Sequence, residues 1–507
     1  MALKFGTSGI RGLNEDFTEL IVKAYIQAFI EHFEQIKPSE SIKQITPIKQ
    51  IDAPSSLDPV GKMTQDRQTP KRVAVAGDLR ESTPGIIFLI KRALEEFGYQ
   101  WVDCGRIPTP ALALYCSEVG VPGVMVTGSH IPADRNGIKF YWPWGEILKA
   151  DEQAIVKNFD RIMAQKIQEG SSIDANQEAG ADAARALYID RYVRFFSSYR
   201  SRFSGKKIIV YQHSTVSRDL WKPILSGLGF IVVEVGRSSI FTPVDTETDE
   251  AVRAIRTVFD VSAESNFFAV VSSDGDGDRP LLCDETLQMV RGDSIGILSA
   301  EFLGAETVVT PVSSNSALER IGGFKKIIRT QIGSPFVIEA MAASAEKSLT
   351  VGYEANGGLL LGSSVHRDGV TLRPLPTRDA ILPILCSLAL AVERNQTVSE
   401  LVGQLPARYT DSDLLRAYPV EKKQVVYDAI RKGSSFQQQF INKYGLVMDA
   451  NETDGLRLTF ANDDIIHFRP SGNAPEFRCY AEAGTAAQAK QLVREGIHWL
   501  EDLRSTL

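Results

Sequence analysis

Three carboxylates at alternate positions, Asp274, Asp276 and Asp278, are spaced by Gly275 and Gly277 and followed by Arg279. They follow the apolar run FFAVVSS (Phe267 to Ser273), which places them at the carboxyl end of a buried strand, where ligand sites of α/β proteins gather. Carboxylates at i, i+2 and i+4 on a backbone that glycine lets curl can converge on one hard cation; with no cation between them they repel one another. An EF-hand is the competing reading, because Asp274, Asp276, Asp278 and Glu285 fall on loop positions 1, 3, 5 and 12. Against it, Arg279 stands where that loop needs glycine, Pro280 takes the next ligand position, and a strand pattern precedes instead of a helix. A solvated acidic turn is the plainest alternative.

A second group runs from Val124 to Pro132 (VMVTGSHIP) and on through Asn136, Gly137, Ile138 and Lys139. Ser129 could be a nucleophile with His130 beside it. Adjacent residues of an extended chain point to opposite sides, however, and G-x-S-x-G is absent. Read alone, this stretch is an ordinary loop. The third group, Arg469-Pro470-Ser471-Gly472-Asn473-Ala474-Pro475 with Arg478 beyond, joins guanidinium, hydroxyl, amide and free backbone N–H groups. That combination suits a phosphate, although the same residues spell a plain turn. Gly352 to Gly358 offers Glu354 and Asn356 to sugar hydroxyls but also reads as a turn. Phe5 to Gly12 surrounds Arg11 with glycines and hydroxyls suited to an anion.

These loops need elements to hold them, and the chain repeats one plan. From Lys71 a β-branched run (KRVAVAGD) leads through a turn into IIFLIKRALEEF, then Gly98 and a second apolar run. Lys206 to Gly236 repeats it, and a shorter echo starts at Glu306 and passes Gly323. Short β runs alternating with amphipathic helices that exit at glycine predict parallel α/β units. The last hundred residues differ. Leu456 to Phe460 and Ile465 to Phe468 flank a hairpin signal, Phe477 to Ala483 predicts another strand, and an amphipathic helix follows. Residues 36 to 69 read as a polar exposed insertion, and 165 to 184 as a linker.

The chain has 507 residues, which at roughly 100 to 200 per domain allows about three to five domains. Hydrophobic residues at 43% and charged ones at 23% exclude wholesale disorder and fibrous architecture. A net charge of -7 argues against a general nucleic-acid binder, though it leaves room for a local basic pocket. Five scattered cysteines form no CxxC pair, so neither a disulfide framework nor a zinc ribbon is expected. The first residues do not predict a signal peptide, and no apolar run approaches the ~20 residues of a membrane span.

Taken together and in order, FGTSGIRG, TGSHIP, DGDGDR, GYEANGG and RPSGNAP resemble the α-D-phosphohexomutase family of phosphomannomutases and phosphoglucomutases, over nearly the whole chain. The resemblance implies an α/β protein of four domains round a central cleft, three related α/β domains with mixed sheets plus a smaller C-terminal α+β domain. Placed on this chain, they are 1–170 with the phosphoserine loop, 185–294 with the metal loop, 295–406 with the sugar-binding loop and 408–507 with the phosphate-binding loop. It implies that Ser129 carries a phosphoryl group, that Asp274, Asp276 and Asp278 hold Mg²⁺ together with that group, and that Lys139 is the general base. Burial beside Arg11 is expected to depress the Lys139 pKa. Arg11, His130 and Arg279 would support the phosphoryl group, Glu354 and Asn356 the sugar, and Arg469, Ser471, Gly472 and Asn473 the non-reacting phosphate.

The implied reaction interconverts hexose 6-phosphate and hexose 1-phosphate through a 1,6-bisphosphate, with hexose 1,6-bisphosphate as activator. Expected partners are small hexose phosphates, with no nucleic acid and no membrane, for a cytoplasmic monomer or weak dimer. Three positions depart from the family pattern. Ile131 replaces an asparagine, Asn473-Ala474 replaces threonine-glutamate, and Gly358 stands where the sugar loop commonly ends in histidine, leaving His366 as a possible substitute. The EANGG form favours mannose phosphate, with a phosphoglucomutase or dual enzyme as the alternative. The altered loops also leave open a non-catalytic sugar-phosphate sensor.

Overall fold

The computed structural model describes residues 3–6, 9–36, 71–165, 178–262, 266–418, 420–431, 436–471 and 475–506. The insertion predicted at 36 to 69 therefore lies outside the described residues, apart from Ile36. The chain divides into two compact units, residues 1–308 with 333–402, and residues 309–332 with 403–507. No helix among the described residues is long and apolar enough to cross a membrane.

The first unit begins with an eight-stranded mixed sheet. Gly123–Val126, Arg72–Gly77, Gln100–Arg106 and Glu178–Ala179 run parallel, and Arg135–Trp142 turns back antiparallel beside Gly123–Val126. Ile10–Leu13 pairs with the far side of that returning strand, which sets Arg11 opposite Gly137. The central parallel strands, Gly123–Val126 and Val73 to Gly77 of Arg72–Gly77, are buried apolar runs, as a sheet covered on both faces requires. Helices Glu19–Gln35, Thr83–Glu96 and Lys149–Ala164 supply the apolar partners of this core.

A four-stranded sheet repeats the scheme. Ile231–Val235, Lys207–Tyr211 and Ala269–Ser273 are parallel, and Pro280–Cys283 returns antiparallel beside the last. It has its own apolar core around Ile209, Val270, Leu281 and Ile255. Further on, Thr350–Tyr353, Leu359–Leu361 and Leu375–Asp379 form an antiparallel succession. Three times, then, a buried strand ends in a short polar turn and an antiparallel strand leads the chain away. Those turns are residues 127–134, 274–279 and 354–358.

The stretch read as a linker, 165 to 184, is corrected at its end. Glu178–Ala179 adds an edge strand beside Val102 and Asp103, and helix Ala181–Phe195 starts directly after it.

The second unit holds a five-stranded antiparallel sheet in the order Tyr409–Arg416, Glu476–Ala483, Ile465–Pro470, Leu456–Phe460, Val447–Asn451. Helix Ala486–Thr506 follows the sheet, and its Leu492, Trp499 and Leu500 are buried in a core with Phe468 and Phe477. Alternating apolar positions in Leu456, Leu458 and Phe460 give the sheet one buried face.

Candidate active site

The serine turn owes its shape to a buried ion pair. Asp78, at the end of strand Arg72–Gly77, accepts hydrogen bonds from Thr83 Oγ1 (2.7 Å), Thr127 Oγ1 (2.8 Å) and Gly128 N (3.2 Å). It also receives Arg80 Nε at 3.1 Å. Arg80 in turn donates to the carbonyls of Ser129 (3.0 Å), Ile131 (2.6 Å), Pro132 (2.6 Å) and Arg135 (2.9 Å), with its guanidinium 4.2 Å from the Phe241 ring centre. A Cβ at Gly128 would lie 2.5 Å from that guanidinium carbon, so only glycine fits there.

Held this way, Ser129 adopts a φ of 54°, the left-handed region that non-glycine residues seldom occupy. The expectation that Ser129 and His130 point apart assumed an extended backbone. With Ser129 left-handed, its Oγ lies 3.2 Å from His130 Nδ1. Burial, reinforced by Arg279 and Arg11, lowers the His130 imidazole to about 2, so it is neutral.

The same hydroxyl donates to Asp274 Oδ2 at 2.6 Å. Asp274, Asp276 and Asp278 are fully buried, and one ligand atom of each lies within 4.8 Å of the others. Asp274 Oδ1 accepts from the backbone N–H groups of Asp278 and Arg279, each at 3.2 Å, which closes the turn. Thr109 Oγ1 donates to Asp276 Oδ2 at 2.7 Å. Asp276 Oδ1 and Asp278 Oδ1 have no hydrogen-bond donor among the described residues. Burial, with Asp276 and Asp278 adding to it, pushes the Asp274 carboxyl well above the usual carboxylate range. Burial also works against ionised Asp278, but Arg378, Lys139 and Arg279 outweigh it and hold that group low. Buried carboxylate oxygens without donors, all hard and closely grouped, fit a divalent cation such as Mg²⁺. The EF-hand alternative loses its twelfth-position ligand, because the Glu285 carboxylate accepts from Ser399 N at 3.3 Å and from the Ser399 hydroxyl.

Lys139 Nζ donates to Asp276 Oδ2 at 2.7 Å and Asp278 Oδ2 at 2.8 Å. The expected depression of its pKa is corrected. Burial does act downward, but the two carboxylates exceed it and leave the ammonium raised. Burial, followed by Arg279 and Arg378, lowers Arg11 to about 10. Arg279 pairs with Glu247 Oε2 at 3.4 Å.

In the sugar loop, Glu354 is buried and Asn356 Oδ1 accepts from Gly358 N at 3.0 Å, so this amide oxygen closes its own turn. His366 sits exposed on the ribbon of Val365–Arg367 and Val370–Leu372, its Nδ1 2.8 Å from Thr371 Oγ1. Arg378, which sequence reasoning missed along with Asp78, Arg80 and Thr109, reaches Glu354 Oε2 at 2.6 Å and Asp278 Oδ2 at 2.7 Å. The one signal for Asp78 and Arg80 was their place just after a strand; Arg378 had none, being joined to its partners only by the fold.

In the second unit Arg469 Nε lies 2.9 Å from Asp454 Oδ2, and Ser471 N donates to Glu476 O at 2.8 Å. Gly472 and Asn473 lie outside the described residues.

Mixed sheets whose strands end in polar hairpins, gathering a buried serine hydroxyl, a carboxylate triad and several guanidinium groups, make up an α/β enzyme equipped for phosphoryl transfer. Residues 59–166 match the phosphoglucomutase/phosphomannomutase alpha/beta/alpha domain I, and residues 291–409 match domain III of the same family. A phosphomannomutase of Sinorhizobium fredii is 39% identical over 98% of this chain and 98% of its own length. One from Salmonella muenchen is 39% identical over 97% and 94%. A crystal structure from Thermus thermophilus, named as a putative phosphomannomutase, shares the fold at a TM-score of 0.72 and 18% identity, covering 99% of each chain. The chain belongs to the phosphoglucomutase/phosphomannomutase family; it is a phosphohexomutase, an intramolecular phosphotransferase of the isomerase class.

Proposed function

We propose that the protein interconverts hexose 6-phosphate and hexose 1-phosphate through phosphorylated Ser129 and a hexose 1,6-bisphosphate, and prefers mannose phosphate to glucose phosphate. The observation that carries the mechanism is the 2.6 Å hydrogen bond from Ser129 Oγ to Asp274 inside the buried triad. The mannose preference is supported by the full-length relatives that bear the phosphomannomutase name, and by the EANGG form of the sugar loop.

In this reading Asp274, Asp276 and Asp278 hold Mg²⁺, which supplies charge neutralisation for a phosphoryl group on Ser129. The substrate hydroxyl attacks that phosphorus; the bond from phosphorus to Ser129 Oγ breaks as the bond to the sugar oxygen forms, and the hydroxyl proton passes to Lys139. Lys139 can accept it only as the neutral amine, so its ammonium would first release a proton to solvent, a loss favoured if Asp276 and Asp278, which now hold it charged, were engaged by the cation instead. Arg11, Arg279 and neutral His130 stabilise the transferring group. Glu354 and Asn356 select the sugar, while Arg469, Ser471, Gly472 and Asn473 hold the non-reacting phosphate. The bisphosphate then reorients and its other phosphoryl group returns to Ser129; released bisphosphate from outside would prime dephosphorylated enzyme. The four-way division 1–170, 185–294, 295–406 and 408–507 is part of the same reading, supported by separate apolar cores in the first, second and fourth. So is a cytoplasmic monomer or weak dimer.

The test measures kcat/KM for mannose 1-phosphate and glucose 1-phosphate with Mg²⁺ and trace hexose 1,6-bisphosphate. Mannose 1-phosphate should give the higher value. A higher value for glucose 1-phosphate would overturn the preference, and isomerisation of neither would overturn the reaction.

A further inference from the structure

We infer that Arg378 is a positioning residue of this active site, tying the sugar loop to the metal loop and filling the space that a side chain at position 358 would need. The inference rests on the proposed reading of Glu354 as a sugar-contacting group.

Arg378 lies near the end of strand Leu375–Asp379, whose residues on either side are anchored. Thr377 Oγ1 donates to Glu146 Oε1 at 2.6 Å. The Asp379 carboxylate accepts from the Tyr188 hydroxyl (2.9 Å), the Tyr192 hydroxyl and the backbone N–H groups of Ile381 (2.7 Å) and Leu382 (3.1 Å). Alternation along a strand turns residue 378 away from the face shared by 377 and 379. Its guanidinium then spans two carboxylates from different hairpins, with Nη1 on Glu354 Oε2 and Nη2 on Asp278 Oδ2. Each carboxylate has one oxygen committed to this bridge. For Asp278 the other oxygen, Oδ1, has no donor among the described residues, and Arg378 engages Glu354 through Oε2.

The bridge also accounts for Gly358. A Cβ there would lie 2.8 Å from Arg378 Cδ, 3.0 Å from Arg378 Cβ and 2.8 Å from the Asp278 carbonyl oxygen. No histidine fits at 358 beside Arg378, and exposed His366 is occupied with Thr371. The loop therefore meets the sugar with a carboxylate held by a fixed guanidinium fork. Lysine, a single point donor, cannot reproduce a two-carboxylate span.

The test compares full-length wild-type, R378Q, R378K, E354Q, R378Q/E354Q, G358H and G358H/R378S enzymes by hexose 1-phosphate kinetics. Thermal midpoints and the intact-mass shift on incubation with glucose 1,6-bisphosphate are read alongside. R378Q should lower kcat/KM on the order of 10²-fold, the scale of losing one fixed electrostatic group, with KM raised. R378K should recover only part of it. R378Q and E354Q should combine less than additively, because each breaks the same bridge. G358H should be inactive, and adding R378S should restore little, because the Asp278 carbonyl oxygen and the Cβ of residue 378 still crowd the new Cβ at 2.8 and 3.0 Å. Additive effects, R378Q kinetics matching wild type, or a G358H enzyme as active as wild type would overturn the inference. If R378Q folds poorly, R378K, which keeps the charge and most of the stem, decides: kinetics matching wild type overturn the inference, and a lowered kcat/KM with raised KM supports it. An unchanged KM in E354Q would overturn the sugar-loop reading, and this inference with it.

Discussion

The metal hairpin, Ala269–Ser273 to Pro280–Cys283, and the sugar hairpin, Thr350–Tyr353 to Leu359–Leu361, use one backbone device. Each takes a buried strand into a turn of five or six residues and returns it antiparallel, with Ser273 opposite Pro280 and Tyr353 opposite Leu359. Their electrostatics are opposite. The metal turn concentrates three buried carboxylates, leaves two oxygens without donors among the described residues and drives Asp274 well above its ordinary range, burial first and its acidic neighbours next. The sugar turn carries one carboxylate, balanced by Arg378, and closes its own backbone through Asn356 and Gly357. One turn holds an unmet demand for positive charge, and the other is already satisfied. Such a difference suits a cation and a transferring phosphoryl group in the first and recognition by a fixed shape in the second.

The largest effects should come from the unsatisfied side. Ser129→Ala removes the hydroxyl that donates to the Asp274 carboxylate, so turnover should fall by about 10⁴-fold or more, the scale of losing a catalytic nucleophile. The phosphoprotein mass shift should vanish with it; a retained shift would move the phosphorylation elsewhere. Asp276→Asn should lower turnover on the order of 10²–10³-fold. The same substitution sharpens the comparison through stability. Saturating Mg²⁺, at about 100 times its dissociation constant, should stabilise the wild type by about 2.7 kcal/mol, and Asp276→Asn should abolish most of that rise in thermal midpoint. An equal Mg²⁺ response in both proteins would place the cation away from the triad.

The serine hairpin stands between the two, satisfied in its support and strained at its tip. Arg80→Met leaves Asp78 buried without its ion-pair partner and frees four loop carbonyls. A cost of about 3–5 kcal/mol is expected, measured by denaturant unfolding. The phosphoprotein yield should fall too, because the Arg80 guanidinium ties the Ser129 carbonyl to those of Ile131, Pro132 and Arg135, leaving Thr127 Oγ1 on Ser129 N as the remaining backbone tie described. A variant of normal stability that still phosphorylates fully would show that the turn keeps its shape without the clamp.

What the sequence made legible was local. The strand–helix–strand repeats reappear as Arg72–Gly77, Thr83–Glu96, Gln100–Arg106 and as Lys207–Tyr211, Arg218–Gly227, Ile231–Val235. The DGDGDR and TGSHIP turns could be placed at strand ends because an apolar run of β-branched residues stops abruptly before each. The electrostatic settings were not legible. Lys139 reads from sequence as a buried lysine with a depressed pKa, and only the fold shows two carboxylates within 2.8 Å of it. Ser129 reads as extended until Arg80, distant in sequence, fixes its backbone. Arg378 has no local pattern, since it is an arginine on a strand whose partners lie 24 and 100 positions away.

The smallest expected effect tests a feature that both units share. His213 in the first unit and His467 in the second each hold a backbone carbonyl through Nε2, at Ser273 O (2.8 Å) and Asp454 O (2.5 Å). A carbonyl only accepts, so Nε2 carries the proton, and Nδ1 of both rings finds no partner among the described residues. Burial lowers each imidazole to about 4, and protonation would put an unpaired N–H in the interior. Because the folded value lies below the unfolded one near 6.5, this contribution is complete above pH 6.5 and is lost as pH falls toward 4. The loss should be on the order of 1–3 kcal/mol for each histidine. Glutamine can donate to the same carbonyl without titrating. His213→Gln and His467→Gln should therefore each flatten the fall in thermal midpoint between pH 6.5 and 4, and turnover at pH 7.5 should change little. His213 borders the metal turn through Ser273, whereas His467 supports Asp454 beside Arg469. A pH slope reduced by His467→Gln but untouched by His213→Gln would mean that the crowded first site relieves its histidine by another route, and the parallel between the two units would fail there.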